Sequence, residues 1–292
     1  MKNIKENLKK TFFQLIDNNL KRKEQLTKNY LKPYRKDLWQ GYRNLKFYKY
    51  TNADYYSIRN IETGSIALKN CSEFNDIFEG IPSFKSNKDL QDSDLIRKSA
   101  AITCLCEEAN NLLMFAHYAN SYSGICIEYD FSLLSEKSMN ILDYFFPVLY
   151  VDSPSNLEKI QELICGIESH INAINNNKLS FKKLHDIISF FIHKPSVWDY
   201  EKEWRIVVPI EQYKNIFGEN YDASKKVYVL KDFDCISKIY LGKNIEPIKR
   251  DHIIEIVKRK NTERRDIASI ELFETALDGS QYKLNLNKIC LD

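Results

Sequence analysis

At 292 residues, 43% of them hydrophobic and 28% charged, the chain has the composition of a globular protein with a substantial core. Its length fits two domains or one large domain with an extension. No window reaches the roughly 18 uncharged apolar residues of a membrane span, and the basic start MKNIKENLKK leads into no signal-peptide core, so a cytoplasmic location is expected.

Ile4, Leu8, Phe12, Leu15, Ile16 and Leu20 recur at helical spacing and predict one or two amphipathic helices before Pro33. Residues 1–46 carry about nine more basic than acidic groups. This basic extension is a candidate contact for nucleic acid or another protein, or simply a solvated helix face. The main domain, 47–292, then opens with a strand, FYKYT. A helix follows in NADYYSIRNIETG, with Asn52 as N-cap and Gly64 as its stop. SIALKN returns as a strand, and Asn75, Asp76, Gly80 and Pro82 mark a loop. AITCLCEE, GICIEYD and FPVLYVD read as strands, with a helix in NNLLMFAHYAN. Two helices are expected over 155–194. The last third predicts strands at EWRIVVPI, KKVYVL, ISKIYLG, ASIELFETA and YKLNLNKI, interrupted by a helix in PIKRDHIIEIVKR. Without a strict strand–helix alternation, this order predicts an α+β fold: a mixed, largely antiparallel sheet with surrounding helices and an N-terminal helical extension.

Several chemistries find no support. There is no glycine-rich phosphate loop of either common type. The seven cysteines are odd in number and scattered through apolar runs, as free thiols of a reducing compartment are. Cys104 and Cys106 are separated by one residue and no second pair exists, so no metal is expected.

Three clusters remain. In WDYEKEWRI, alternate residues of a strand would put Glu201, Glu203 and Arg205 on one face. Arg205 would lower the pKa of a nearby glutamate and the second glutamate would raise it. Such a triplet can position a ribose or accept a proton, or it can be an edge-strand charge ladder. In LLMFAHYANSYSGICIEYD, His117 and Tyr118 end a helix crowded with polar residues and suggest a pocket rim, against the plainer reading of a structural histidine. In NCSEFNDIFEG, Asn75 and Asp76 are turn formers that also stand where a ligand contact would be useful.

These segments in this order, with PVLYVD and IYLG, resemble the bacterial domain-of-unknown-function 2971 (DUF2971) family from about Phe47 to Gly242. The HYA and YEKEWR segments are the most specific parts. Members usually carry tryptophan where Phe115 stands and phenylalanine-serine where this chain has Leu105 and Cys106, and they often occur near mobile elements and defence genes. The layout is also similar, by order of elements, to ADP-ribosyltransferase toxins, although the histidine or arginine often found on the first strand of those enzymes is missing. That likeness implies NAD as substrate. Glu203 or Glu201 would stabilise the oxocarbenium-like state at the ribose, with His117 beside them. Tyr118 would stack on nicotinamide and Lys49 or Tyr50 would hold the adenosine side, with Asn75, Asp76 and Arg205 as further contacts. The expected function is an NAD-consuming defence or toxin effector. The alternatives are a nucleic-acid binder or metal-dependent nuclease using Glu201, Glu203 and Glu128, and a non-catalytic sensor or interaction module.

Overall fold

The computed structural model describes residues 5–10, 41–81, 97–98, 100–136, 138–153, 190–209, 227–264 and 267–291. Of the expected N-terminal helices, residues 5–10 are helical; residues 11–40, and most of the expected pair over 155–194, lie outside the described residues.

Strand β1 (Lys46–Thr51) leads through helix α1 (Tyr55–Thr63) to β2 (Ile66–Lys69). Then come β3 (Ala100–Leu105), helix α2 (Leu112–Tyr118), β4 (Ile125–Asp130), β5 (Phe145–Pro147) and β6 (Leu149–Val151). The remainder is β7 (His193–Pro195), β8 (Trp204–Pro209), β9 (Val227–Leu230), β10 (Ile236–Leu241), helix α3 (Pro247–Glu263), β11 (Glu271–Leu277) and β12 (Leu284–Ile289). They form two five-stranded sheets, ordered β1-β4-β10-β11-β12 and β5-β8-β3-β2-β9, and a β6-β7 pair. Among the described pairings only β10–β11 and β6–β7 are parallel, so the expected α+β, largely antiparallel architecture is what the chain adopts.

The central strands are buried on both faces, which is why they read as continuous apolar runs rather than alternating ones. In β4, Ile125, Ile127 and Tyr129 enter the main core, while Cys126 turns to a second core against Phe115 of α2. In β3, Ala101 and Leu105 join the main core and Ala100 and Ile102 a third, against Phe190 and Phe191. The two sheets touch where β1 meets the end of β3: Tyr48 N–H donates to Cys106 O at 2.9 Å and Cys106 N–H to Tyr48 O at 2.7 Å. Trp204, at the start of β8, fills the space beneath this seam, with Phe145 and Phe47 each 5.2 Å away between ring centroids.

The expected boundary at 46/47 runs through this packing. Tyr42 and Leu45 are buried with Trp204 and Phe47, and the buried Lys5 ammonium donates to Lys46 O at 2.6 Å and lies 4.4 Å from the Phe47 ring. Burial pushes the Lys5 pKa down to about 8, against which cation–π and carbonyl contacts are its compensation.

Four local expectations need correction. The N-cap of α1 is Asp54, whose carboxylate accepts from Ser57 N–H at 2.8 Å, and not Asn52; Gly64 does close the helix, at φ 62°. FPVLYVD is two strands, β5 and β6, in different sheets. His193–Pro195 is a strand rather than the end of a helix, because it is zipped in parallel to β6. Ser196–Glu201 is a 3-10 turn, so β8 begins only at Trp204.

The β4 and β10 ends are joined by close backbone approach. A Cβ on Gly242 would lie 2.2 Å from Tyr122 O and 2.7 Å from Gly124 O, and Gly242 N–H donates to Gly124 O at 2.9 Å. Gly242→Ala is therefore expected to cost about 1–3 kcal/mol in urea unfolding. Gly279→Ala, where a Cβ meets nothing within 4 Å, should change stability by less than about 0.5 kcal/mol. Equal effects at the two positions would disprove the close approach.

Candidate functional site

The chain turns sharply before β8. Lys202, at φ 45° and ψ 53°, takes the left-handed conformation that closes the 3-10 turn, and its N–H donates to Asp199 O at 3.1 Å. Glu201 and Glu203 flank that kink. Their carboxylates converge because of the kink, not because they share one face of a strand, and the pleat argument fails for Glu201. Both residues are 3% exposed. The backbone is pinned on two sides: Glu203 N–H donates to the Tyr150 hydroxyl at 2.8 Å and Val148 N–H to Glu203 O at 3.0 Å.

Lys194, from β7, sits between the two carboxylates. Its Nζ donates to Glu201 Oε2 and, at 3.0 Å, to Glu203 Oε2. Arg205 grips Glu203 with two bonds, Nε to Oε1 at 2.8 Å and Nη2 to Oε2 at 3.1 Å. Its Nη1 donates to Glu79 Oε1 and to Phe191 O. Arg205 is wholly buried and Glu79 is 1% exposed. Tyr118 OH donates to the remaining oxygen of Glu201, Oε1, at 2.5 Å.

Three carboxylates thus share two cations in a buried place. Burial alone would raise the Glu203 pKa, but Arg205 and Lys194 outweigh it and hold this carboxyl well below the usual range. Glu201 lacks the guanidinium. Burial, and then the charge of Glu203, push it up to about 7 despite Lys194. Burial works against the Lys194 ammonium too, yet Glu203 and Glu201 leave its pKa raised. Burial and Glu201 raise Tyr118, which stays a neutral hydroxyl donor. Within this cluster the group that can change charge near neutrality is therefore Glu201.

Helix α2 is aimed at this cluster by Asn111. Its Oδ1 caps Leu113 and Met114 N–H at 3.0 and 3.2 Å, its Nδ2 donates to Tyr200 O at 2.9 Å, and its N–H donates to Tyr50 OH at 3.2 Å. Tyr50 from β1 is thus a support beneath α2. At the other end, Asn120, Ser121 and Tyr122 all have positive φ (45°, 52° and 68°). Three successive non-glycine residues in this region are strained, and Tyr122 stacking on Phe115 with centroids 6.0 Å apart helps to hold them. His117 is exposed and lies at the rim, 6.1 Å from Tyr200 and 6.5 Å from Trp198 between ring centroids.

The other candidates divide. Lys49 is half-buried and donates to Thr103 Oγ1 at 2.8 Å, beside Cys104 and within electrostatic reach of Glu203. Burial lowers its pKa. Asp76 lines a cavity of about 410 Å³ that opens beside Lys194 and Trp198, whereas Asn75 is exposed. Glu128 is satisfied elsewhere, by Lys46 at 3.0 Å, Ser237 at 2.7 Å and Tyr240 at 3.0 Å, and shares none of these partners with Glu201 or Glu203. Sequence reasoning missed Lys194, Glu79, Asn111, Tyr150 and Trp198. Trp198 opens the WDYEKEWRI segment, Glu79 lies in NCSEFNDIFEG, Tyr150 in PVLYVD and Asn111 just ahead of the apolar helix, so only Lys194 stood outside the segments already singled out.

Residues 114–206 match the family model described as Protein of unknown function (DUF2971), a segment that holds Tyr118, Lys194, Glu201, Glu203 and Arg205 together. No curated protein and no solved structure matches the chain.

Removing Arg205 leaves Glu203 and Glu79 buried without their shared cation, so Arg205→Met is expected to lower stability by about 3–5 kcal/mol in chemical denaturation. Glu201 has a folded pKa above its ordinary 4.5. Its contribution is therefore fully present below that value and is lost as pH rises through about 7. Unfolding titrations from about pH 5 to about pH 8 should show wild type losing stability relative to Glu201→Gln; parallel curves would contradict the assignment.

Proposed function

Proceeding from a chain that carries the DUF2971 family match over residues 114–206, we propose that it is an NAD-consuming enzyme, a glycohydrolase or ADP-ribosyltransferase, whose working carboxylate is Glu201. The observation that carries this reading is the unequal pairing of the two glutamates. Glu203 is fixed by two bonds from Arg205, while Glu201 accepts only from Lys194 and Tyr118 and titrates near neutrality. A general base is most effective with its pKa close to working pH.

In the proposed reaction the bond between the nicotinamide nitrogen and C1′ of its ribose breaks, and the electron pair leaves with neutral nicotinamide. An oxygen or nitrogen of water or an acceptor group forms the new bond to C1′. Its proton passes to Glu201 and then to solvent. The ionised carboxylate also offsets the positive charge that develops on the ribose. Tyr118 and Lys194 orient Glu201 by occupying both of its oxygens. Trp198, Tyr200 and His117 supply flat surface for the rings of the substrate, and Lys49 on β1 adds a polar group from the opposite sheet. Arg205 and Glu79 are positioning residues, acting through Glu203 and Lys194.

A second reading, a binding module without turnover, draws support from the 3% exposure of both glutamates, which leaves substrate to approach through Lys194, Tyr118 and Trp198. Nicotinamide release from labelled NAD separates the two. Glu201→Gln is expected to slow it by roughly 10²–10⁴-fold, and the wild-type rate should rise as pH passes through about 7. Release no faster from wild type than from the variant would remove the enzymatic reading.

A further inference from the structure

The N-terminal helical segment, residues 5–10, turns two of its lysines inward. Lys5, Leu8 and Lys9 follow the i, i+3, i+4 spacing of one helix face, and that face lies on the main domain, while Glu6, Asn7 and Lys10 are exposed. Leu8 packs against the main core, and Gly41 leaves it room, since a Cβ there would lie 2.8 Å from Leu8 Cδ2. Lys5 Nζ donates to Lys46 O of β1 at 2.6 Å and to Glu107 O at 3.2 Å. It therefore ties together the two chains that meet at the Tyr48–Cys106 seam. Lys9 Nζ pairs with Glu107 Oε1 at 2.6 Å and lies 5.7 Å from the centre of the Trp204 ring.

Glu107 is where these contacts meet the site. Its Oε1 also accepts from the indole Nε1 of Trp204 at 2.8 Å, with the Glu107 side chain 6% exposed and Trp204 fully buried. A carboxylate so far from water needs a positive partner, and Lys9 supplies it, leaving a charge-assisted bond to hold the indole. Trp204 follows Glu203 in the chain and Lys202 precedes it. Lys202 Nζ pairs with Glu108 Oε1 at 2.6 Å, so the two neighbours of Glu203 are tied to consecutive glutamates of one turn. The Lys202 pair is half exposed and weak on that account, which leaves Glu107 and the indole to fix the entrance of β8. On its other side the turn reaches α2: Glu108 O accepts from Tyr50 OH at 2.9 Å, and that hydroxyl accepts from Asn111 N–H. Glu203 and Tyr118, the two groups that enclose Glu201 with Lys194, are thus both held from residues 106–108.

We propose that Lys9 and Glu107 are positioning residues of the site: the docked helix 5–10 fixes the 106–108 turn, which through Trp204 and Tyr50 keeps Glu203 and Tyr118 closed around Glu201 and excludes water from it. Release of the helix loosens this enclosure and hydrates the Glu201 carboxyl. The consequence for turnover rests on the reading of Glu201 as the working carboxylate; the placement of Glu201 does not, so the two can fail separately.

Carbon-13 NMR of the full chain, labelled at the glutamate carboxyl carbons, reads this placement without any substrate; the Glu201 signal is the one missing from Glu201→Gln. Lys9→Met removes the cation and keeps an apolar stem over Trp204, Lys9→Glu repels Glu107 outright, and Lys9→Arg keeps the pairing. Loss of a positive charge would by itself move the Glu201 titration midpoint upward, whereas hydration of a buried carboxyl moves it downward. The direction therefore separates positioning from simple charge removal. In Lys9→Met the midpoint is expected to fall by roughly half to one pH unit and in Lys9→Glu by at least as much, while Lys9→Arg stays within about 0.2 unit of wild type. Hydrogen exchange over residues 5–10 should quicken in the first two variants and not in the third. Positioning is overturned if residues 5–10 are released, with the rest of the chain folded by circular dichroism, and the Glu201 midpoint is unchanged or raised. It is equally overturned if those residues stay protected in both variants, and Lys9→Met alone decides if Lys9→Glu does not fold. Absence of nicotinamide release from wild type would bear on the enzymatic reading alone.

Discussion

Arg205 lies wholly inside the protein with a carboxylate on either side of its guanidinium, and most of the site follows from that placement. A buried guanidinium must be fully neutralised, and here it recruits Glu203 from its own strand entrance and Glu79 from the loop after β2. Lys194 then ties Glu203 to Glu201. Two cations cannot neutralise three carboxylates, and the excess falls on the member furthest from the guanidinium. The reactive character of Glu201 is therefore a consequence of how its neighbours are paired, rather than a property of glutamate at that position.

The fold brings four separate stretches of chain to this cluster by rigid means. The β3–β8 pairing sets Cys104 opposite Arg205. The β6–β7 pairing sets Tyr150 opposite Lys194, which places a hydroxyl for Glu203 N–H and an ammonium for its carboxylate in one step. Helix α2 is short, and a seven-residue helix has little stability alone. Its direction is fixed at one end by Asn111, bonded to Tyr50 and Tyr200, and at the other by the left-handed turn over Asn120–Tyr122. Backbone strain of this kind persists where the surroundings over-determine it, and here it delivers Tyr118 to Glu201.

On the outer side, the same arrangement leaves a hollow whose walls come from the 73–81 loop, β6, β7 and the 3-10 turn. Asp76 and Asp152 stand on its walls beside Lys194 and Trp198.

Much of the architecture was legible in the sequence, because burial on one or both faces of a strand writes itself into local apolar pattern. FYKYT, GICIEYD, ISKIYLG and the long helix over PIKRDHIIEIVKR are found where that pattern puts them. So is the prominence of Tyr118, Glu201, Glu203 and Arg205, because polar groups inside apolar runs need partners. The partners themselves were not legible. Lys194 is 7 and 9 residues from its two carboxylates and Glu79 is 126 from Arg205, and no local rule connects them. His193–Pro195 looked like the tail of an amphipathic helix because pairing with β6 is non-local. The kink at Lys202 broke the two-residue pleat on which the shared face of Glu201 and Glu203 was argued. The sequence by itself determined which of the longer apolar runs are strands and which charges must be satisfied inside. Only the tertiary structure decided which cation each carboxylate receives, since that depends on strand register and chain crossing, and that choice makes Glu203 a fixed anion and Glu201 the group able to exchange a proton.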